Sequence, residues 1–184
     1  MKKLVMVLAL LATPASARDF ISEIKESAEI PRVRPEFRVP QEPNQLFYIQ
    51  RSPNSNTVVY AAKLDDQGNL AASAPVEAFW RKFNIDGSKQ PLNFIERMLA
   101  YGVKMDRGKM SFSIAALPER KVTLSLDDEH RPQALMQIGN HLVKLAYVYL
   151  HVVEGGLMPK VPDLDIFGTD IANGKAIHEH LVQK

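Results

Sequence analysis

The tripeptide His178-Glu179-His180 carries the residue types best suited to a metal ion. On a β-strand, side chains two apart share a face and stand about 7 Å apart along the chain. Both imidazoles could therefore chelate one ion if a third ligand came from elsewhere. No third ligand is visible in the surrounding sequence, and a polar face on an exposed terminal strand accounts for the same residues. The reading is accordingly no metal and no cofactor, with His178 and His180 as weak candidates. His130 falls in a charged turn and His141 beside a hairpin turn, where both read as solvent contacts. Asp163-x-Asp165 with Gly168 has the outline of a calcium loop, but Phe167 stands where an oxygen ligand is needed and Gly174 where the bidentate glutamate belongs. Ser22 and Lys25 have S-x-x-K spacing but lie in a segment with nothing to orient them.

The chain has no phosphate-cradling glycine loop, no G-x-S-x-G and no H-E-x-x-H. With no cysteine, thiol catalysis, cysteine-ligated zinc and a disulfide framework are all excluded. The remaining constellation is Tyr48, Gln50, Arg51, Asn54, Asn56, Trp80, Arg97, Tyr101 and Glu154. Aromatic walls with a few polar groups suit a small amphipathic ligand; the same residues also serve as core and turn supports. A buried Arg97 would need a partner, for which Glu154 is the candidate. The leading expectation is non-catalytic binding of a small amphipathic molecule or an envelope partner. The alternatives are a hydrolase using carboxylates such as Glu154, Asp163, Asp165 or Asp170, and a structural protein pairing through an edge strand.

These residues must be positioned by strands. Leu46 to Arg51 and Thr57 to Leu64 are rich in aromatic and β-branched residues. Between them Ser52-Pro53-Asn54-Ser55-Asn56 reads as a five-residue hairpin turn. Val58, Tyr60, Ala62 and Leu64 share one face, whereas Leu46 to Ile49 are apolar on both, which predicts packing on each side. The pattern F-Y-I-Q-R-x-x-N-x-N-x-V-V-Y over residues 47–60 resembles the start of a bacterial domain family of unknown function, family 4833. The resemblance continues through Pro75-Val76, Trp80, Arg97, Ala100-Tyr101-Gly102, Glu154-Gly155-Gly156 and Phe167-Gly168-Thr169-Asp170, covering residues 44–182. It implies a small exported domain and no activity, so it carries no role onto any position.

Residues 1–17 have a basic start, an apolar run from Leu4 to Ala12 and Ala15-Ser16-Ala17, which together read as a Sec-type signal peptide cleaved before Arg18. The apolar run is too short for a membrane anchor, and the expected destination is the periplasm or the medium. Cleavage removes Lys2 and Lys3, so Lys plus Arg falls from 23 to 21 and equals Asp plus Glu at 21. A neutral chain lacks the basic footprint of a nucleic-acid binder.

Residues 18–29 place Phe20, Ile21, Ile24 and Ala28 at helical spacing, a marginal helix. Pro31, Pro35, Pro40 and Pro43 then make residues 18–43 a tether ending in an extended spacer, with a docking segment as the alternative. Residues 44–184 read as one β-domain. Its one short helix is capped by Asn93 with Glu96 three residues on. Leu99 to Met105, Met110 to Ala116 and Val122 to Leu126 alternate as strands, and Gly139-Asn140 makes a two-residue turn. His141 to Val153 reads as one long strand that needs a bulge, a buried helix being the alternative. Two further strands cross Asn173-Gly174. Nine or ten strands in sequence predict an all-β antiparallel meander, closed or partly closed as a barrel, with a β-sandwich second.

Overall fold

The β-branched and aromatic runs fold as the strands of one curled sheet. The computed structural model describes residues 20–155 and 159–184; residues 1–17, expected from the sequence to be a signal peptide, lie outside them. Twelve strands and one helix follow in order: β1 (Phe20–Ser27), β2 (Gln45–Arg51), β3 (Asn54–Ala62), β4 (Val76–Arg81), β5 (Lys89–Pro91), α1 (Phe94–Leu99), β6 (Val103–Met105), β7 (Ser111–Ile114), β8 (Leu117–Leu126), β9 (Pro132–Ile138), β10 (His141–Val153), β11 (Lys160–Asp170) and β12 (Ala176–Gln183). The spatial order is β5-β4-β3-β2-β10-β9-β8-β7-β6, with β11, β12 and β1 continuing from the other edge of β10. The sheet curls into a partly closed half-barrel that brings β6 near β4.

β10 is the spine. Its first residues, His141 to Lys144, pair with β9, and Tyr147 to Leu150 pair with β2, the one parallel ladder among the described residues. β11 takes the opposite edge along nearly the whole strand. A register shift between Leu145 and Tyr147 supplies the bulge that a strand of this length requires. It leaves Val143, Leu145 and Val148 in the inner core while Tyr147 and Tyr149 face outward. A shift between Gln45 and Phe47 does the same on β2, so that Leu46, Phe47 and Ile49 point inward and Tyr48 outward. Both faces of β2 are packed, as its composition predicts.

The outer face is an aromatic ladder across neighbouring strands. Tyr48 stacks on Tyr147 at 5.3 Å and Tyr147 on Phe167 at 4.5 Å between ring centroids. The proline-rich segment expected as a spacer lies along this face. Ile30 and Val33 pack on the ladder, Tyr147 Oη donates to the Pro31 carbonyl, Gln50 Nε2 donates to the Arg38 carbonyl at 3.2 Å, and Phe37 is buried.

Three local expectations are corrected. Residues 20–27 form a strand and no helix: an isolated helix this short lacks stability, whereas pairing from Phe20↔Gln183 to Ser27↔Ala176 covers the open edge of β12. The first hairpin turns through Ser52 and Pro53 alone, because Asn54 Oδ1 accepts from Asn56 N at 3.1 Å and draws Asn54 to Asn56 into β3. The strand predicted from Leu99 starts only at Val103, because α1 runs on to Leu99. Gly102 then passes so close to α1 that a Cβ there would lie 1.8 Å from the Arg97 carbonyl oxygen. The capping box itself forms as predicted, with Glu96 N to Asn93 Oδ1 at 2.9 Å and Asn93 N to Glu96 Oε2 at 2.8 Å.

Candidate metal centre

Strand pairing brings two period-2 motifs side by side. In the β11–β12 ladder Asp165 stands opposite His180 and Phe167 opposite His178, and in the β10–β11 ladder His151 stands opposite Asp163. Residues directly and diagonally across a ladder share a face and touch, so three imidazoles meet one carboxylate. His178 Nε2 and His180 Nδ1 lie 2.7 and 2.8 Å from Asp165 Oδ1, and His151 Nε2 lies 2.8 Å from Asp165 Oδ2. Asp163 Oδ1 is 3.5 Å from His151 Nε2. The Asp165 carboxylate is buried, with only 9% of its side chain exposed, while His151, His178 and His180 keep 39, 25 and 32% exposed. The cluster thus sits at the surface, with its imidazoles partly open to solvent.

Burial works against the charged form of Asp165, but the hydrogen bonds from His178, His151 and His180 outweigh it and hold the carboxyl well below the usual carboxylate range. Aromatic neighbours fix the rings: His178 stacks on Phe167 at 4.5 Å, and Tyr149 meets His151 edge-on at 4.9 Å. The side-chain atoms of Asp165, His178 and His180 that can ligate a metal all lie within 4.8 Å of one another. Three imidazoles with one carboxylate make a donor set for Zn²⁺ and its transition-metal neighbours; Ca²⁺ and Mg²⁺ demand oxygen. Glu179, between the two histidines, points to the other face, where it is buried and accepts from Ser22 Oγ and from Arg120 Nη2, the latter at 2.7 Å.

The third candidate ligand missing from the sequence reading is therefore Asp165, with His151 and Asp163 beside it. Asp163-x-Asp165 was visible as a motif, and its signal was that it has the same two-residue spacing as His178-x-His180.

The nine residues of the amphipathic-ligand constellation do not form one site. Tyr48 and Gln50 face the outer ladder and the proline-rich segment. Asn54 and Asn56 hold the hairpin, Asn56 Oδ1 accepting from Asn84 N at 3.2 Å. Arg97 is exposed on α1 and Glu154 exposed after β10, and no ion pair joins them. Arg51, Trp80 and Tyr101 do converge. The Arg51 guanidinium lies 5.1 Å from the Trp80 ring centroid, and Tyr101 meets Trp80 edge-on at 5.3 Å. Arg51 and Tyr101 line a cavity of about 570 Å³ below α1.

The carboxylates named for a hydrolase are scattered. Glu154 is exposed, and Asp170 accepts from Ala172 N at 2.9 Å while His141 Nδ1 lies 2.8 Å from it. Asp163 and Asp165 belong to the histidine cluster. The chain is thus a largely β domain with no clear catalytic apparatus among the described residues. None of its described helices is long and apolar enough to cross a membrane.

No curated protein and no solved structure matches this chain. A family model does, over residues 47–180, from β2 into β12, taking in Arg51, Trp80 and Tyr101 as well as His151, Asp165, His178 and His180. The chain belongs to the family described as Domain of unknown function (DUF4833).

Proposed function

We propose that this protein is an exported, non-catalytic binding domain whose His151, His178, His180 and Asp165 hold one divalent transition-metal ion of the Zn²⁺ type. One observation carries the reading: three imidazoles from two strands converge within 2.7 to 2.8 Å of a single buried carboxylate. Each hydrogen bond to Asp165 can be exchanged for a metal bond from the same nitrogen, and aromatic contacts already orient the His178 and His151 rings for it. Export rests on the signal-like residues 1–17. The small amphipathic ligand expected from the sequence attaches to the cavity below α1, and an envelope protein remains the partner class for the exposed faces.

Native mass spectrometry and calorimetric titration of the chain from residue 18 test the metal reading. One Zn²⁺ per chain is expected, lost in the double variant His178→Ala/His180→Ala and weakened about 10–100-fold or more in Asp165→Asn. Failure of Zn²⁺, Ni²⁺ and Cu²⁺ alike to bind the folded protein would make the cluster a hydrogen-bonded clasp between β10, β11 and β12.

A further inference from the structure

α1 buries none of its side chains, although Ile95, Met98 and Leu99 are apolar and each is more than half exposed. Polar anchors hold the helix in place instead. Trp80 Nε1 donates to Glu96 Oε2 at 3.1 Å, Tyr60 Oη donates to the Tyr101 carbonyl at 2.7 Å, and Ala116 N donates to the Ala100 carbonyl at 3.0 Å. The helix is thereby stood off from the sheet, and its apolar side chains face the cavity of about 570 Å³, with Val152 and Val161 among the other walls. That volume is in the range of about 300–1,000 Å³ typical of small-molecule sites.

The cavity also has a charged end. Arg51 pairs with no carboxylate among the described residues, and its Nε–H is buried without an acceptor. A guanidinium presents five donors suited to a planar carboxylate, and this one is held over Trp80, whose indole is fixed by Glu96. Lys104 adds a second cation to the lining. The acid on the same wall, Glu96, is already engaged by Asn93 N and Trp80 Nε1. The field inside therefore favours an anion, and the walls favour a hydrocarbon.

We propose that this cavity binds a single-chain amphipathic anion, an alkyl carboxylate, with its head group on Arg51 and its tail against Met98 and Leu99 of α1. The site is independent of the metal centre, which lies on the outer face of β10, β11 and β12. It is tested with dodecanoate as the probe in buffer containing a chelator, followed by calorimetry and by the fluorescence of Trp80, the single tryptophan. Binding at one dodecanoate per chain is expected, with dodecyltrimethylammonium failing to compete. Arg51→Gln is expected to weaken binding about tenfold or more, the scale of one charge-assisted hydrogen bond. Met98→Glu, on a helix that buries no side chain, is expected to abolish binding while near-UV circular dichroism stays unchanged. No dodecanoate binding, or equal binding of the cationic amphiphile with both variants unaffected, would overturn the proposal. Should Arg51→Gln fail to fold, Lys104→Glu and Met98→Glu decide it: unchanged affinity in both overturns it, and loss in both supports it.

Discussion

Arg120 on β8 reaches Glu179 on β12, a strand that is not its neighbour in the sheet, with Nη2 to Oε1 at 2.7 Å. Only 2% of the Glu179 side chain is exposed. Removing one partner of such a pair strands a charge in the interior, which costs more than the pair contributes. Arg120→Ala should therefore lower unfolding free energy by about 3 kcal/mol or more, read as a drop in the urea midpoint. Tyr147 answers to pH instead. Burial pushes its phenol up to about 12, against the opposing hydrogen bond from Val33 N. A phenol raised above its unfolded value of about 10 adds stability that is complete below that pH. The contribution is lost as pH rises through the folded value of about 12. Tyr147→Phe should flatten that alkaline decline in a series of urea melts between these limits; an unchanged slope would place the decline on other tyrosines.

At the scale of elements, β1 acts as a cover. It pairs with β12 from end to end and spares that strand an open edge, while Ile21 and Ile24 remain exposed on its outside. Proline in the middle of a strand removes a donor and fixes φ. Ile24→Pro should thus release β1 and expose β12 to pairing with a second chain, seen as concentration-dependent dimers in sedimentation. A strictly monomeric profile with an unchanged urea midpoint would show that β1 contributes nothing to the edge. The elements differ in how far local sequence announces them. Helix α1 is legible because Asn93 and Glu96 satisfy each other across three residues, and β10 because β-formers fill the run between Gly139 and Gly155. β1 is not, because its partner lies 157 residues away at the Ser22–Glu179 contact, and helical spacing is all that eight residues can display locally. The centre was half legible. Asp163-x-Asp165 and His178-x-His180 keep one face each whichever odd register joins them, so their meeting followed from the Asn173-Gly174 turn. His151 was not legible, because the bulge at Ala146 flips the side of the strand on which it emerges, and a bulge leaves no mark in composition.

At the scale of the whole molecule, the sheet is wound so that the first and last described strands, β1 and β12, pair. β2 to β9 form the flank of the half-barrel by mostly local hairpins, while β10 joins the two ends of that flank through its parallel ladder to β2 and its antiparallel ladder to β9. The cavity draws on strands and loops from both parts, from Arg51 to Val161. The metal centre does not: every candidate ligand comes from β10, β11 or β12. A chain made from its N-terminus therefore makes these candidate ligands after β2 to β9, and β1 is made well before its partner β12. For a chain threaded unfolded through a translocation pore, the histidines come together only after the final strand has crossed. On the export route and metal reading proposed above, the ion is then chosen from what the compartment of arrival supplies, and the cytoplasmic metal pool has no say in it.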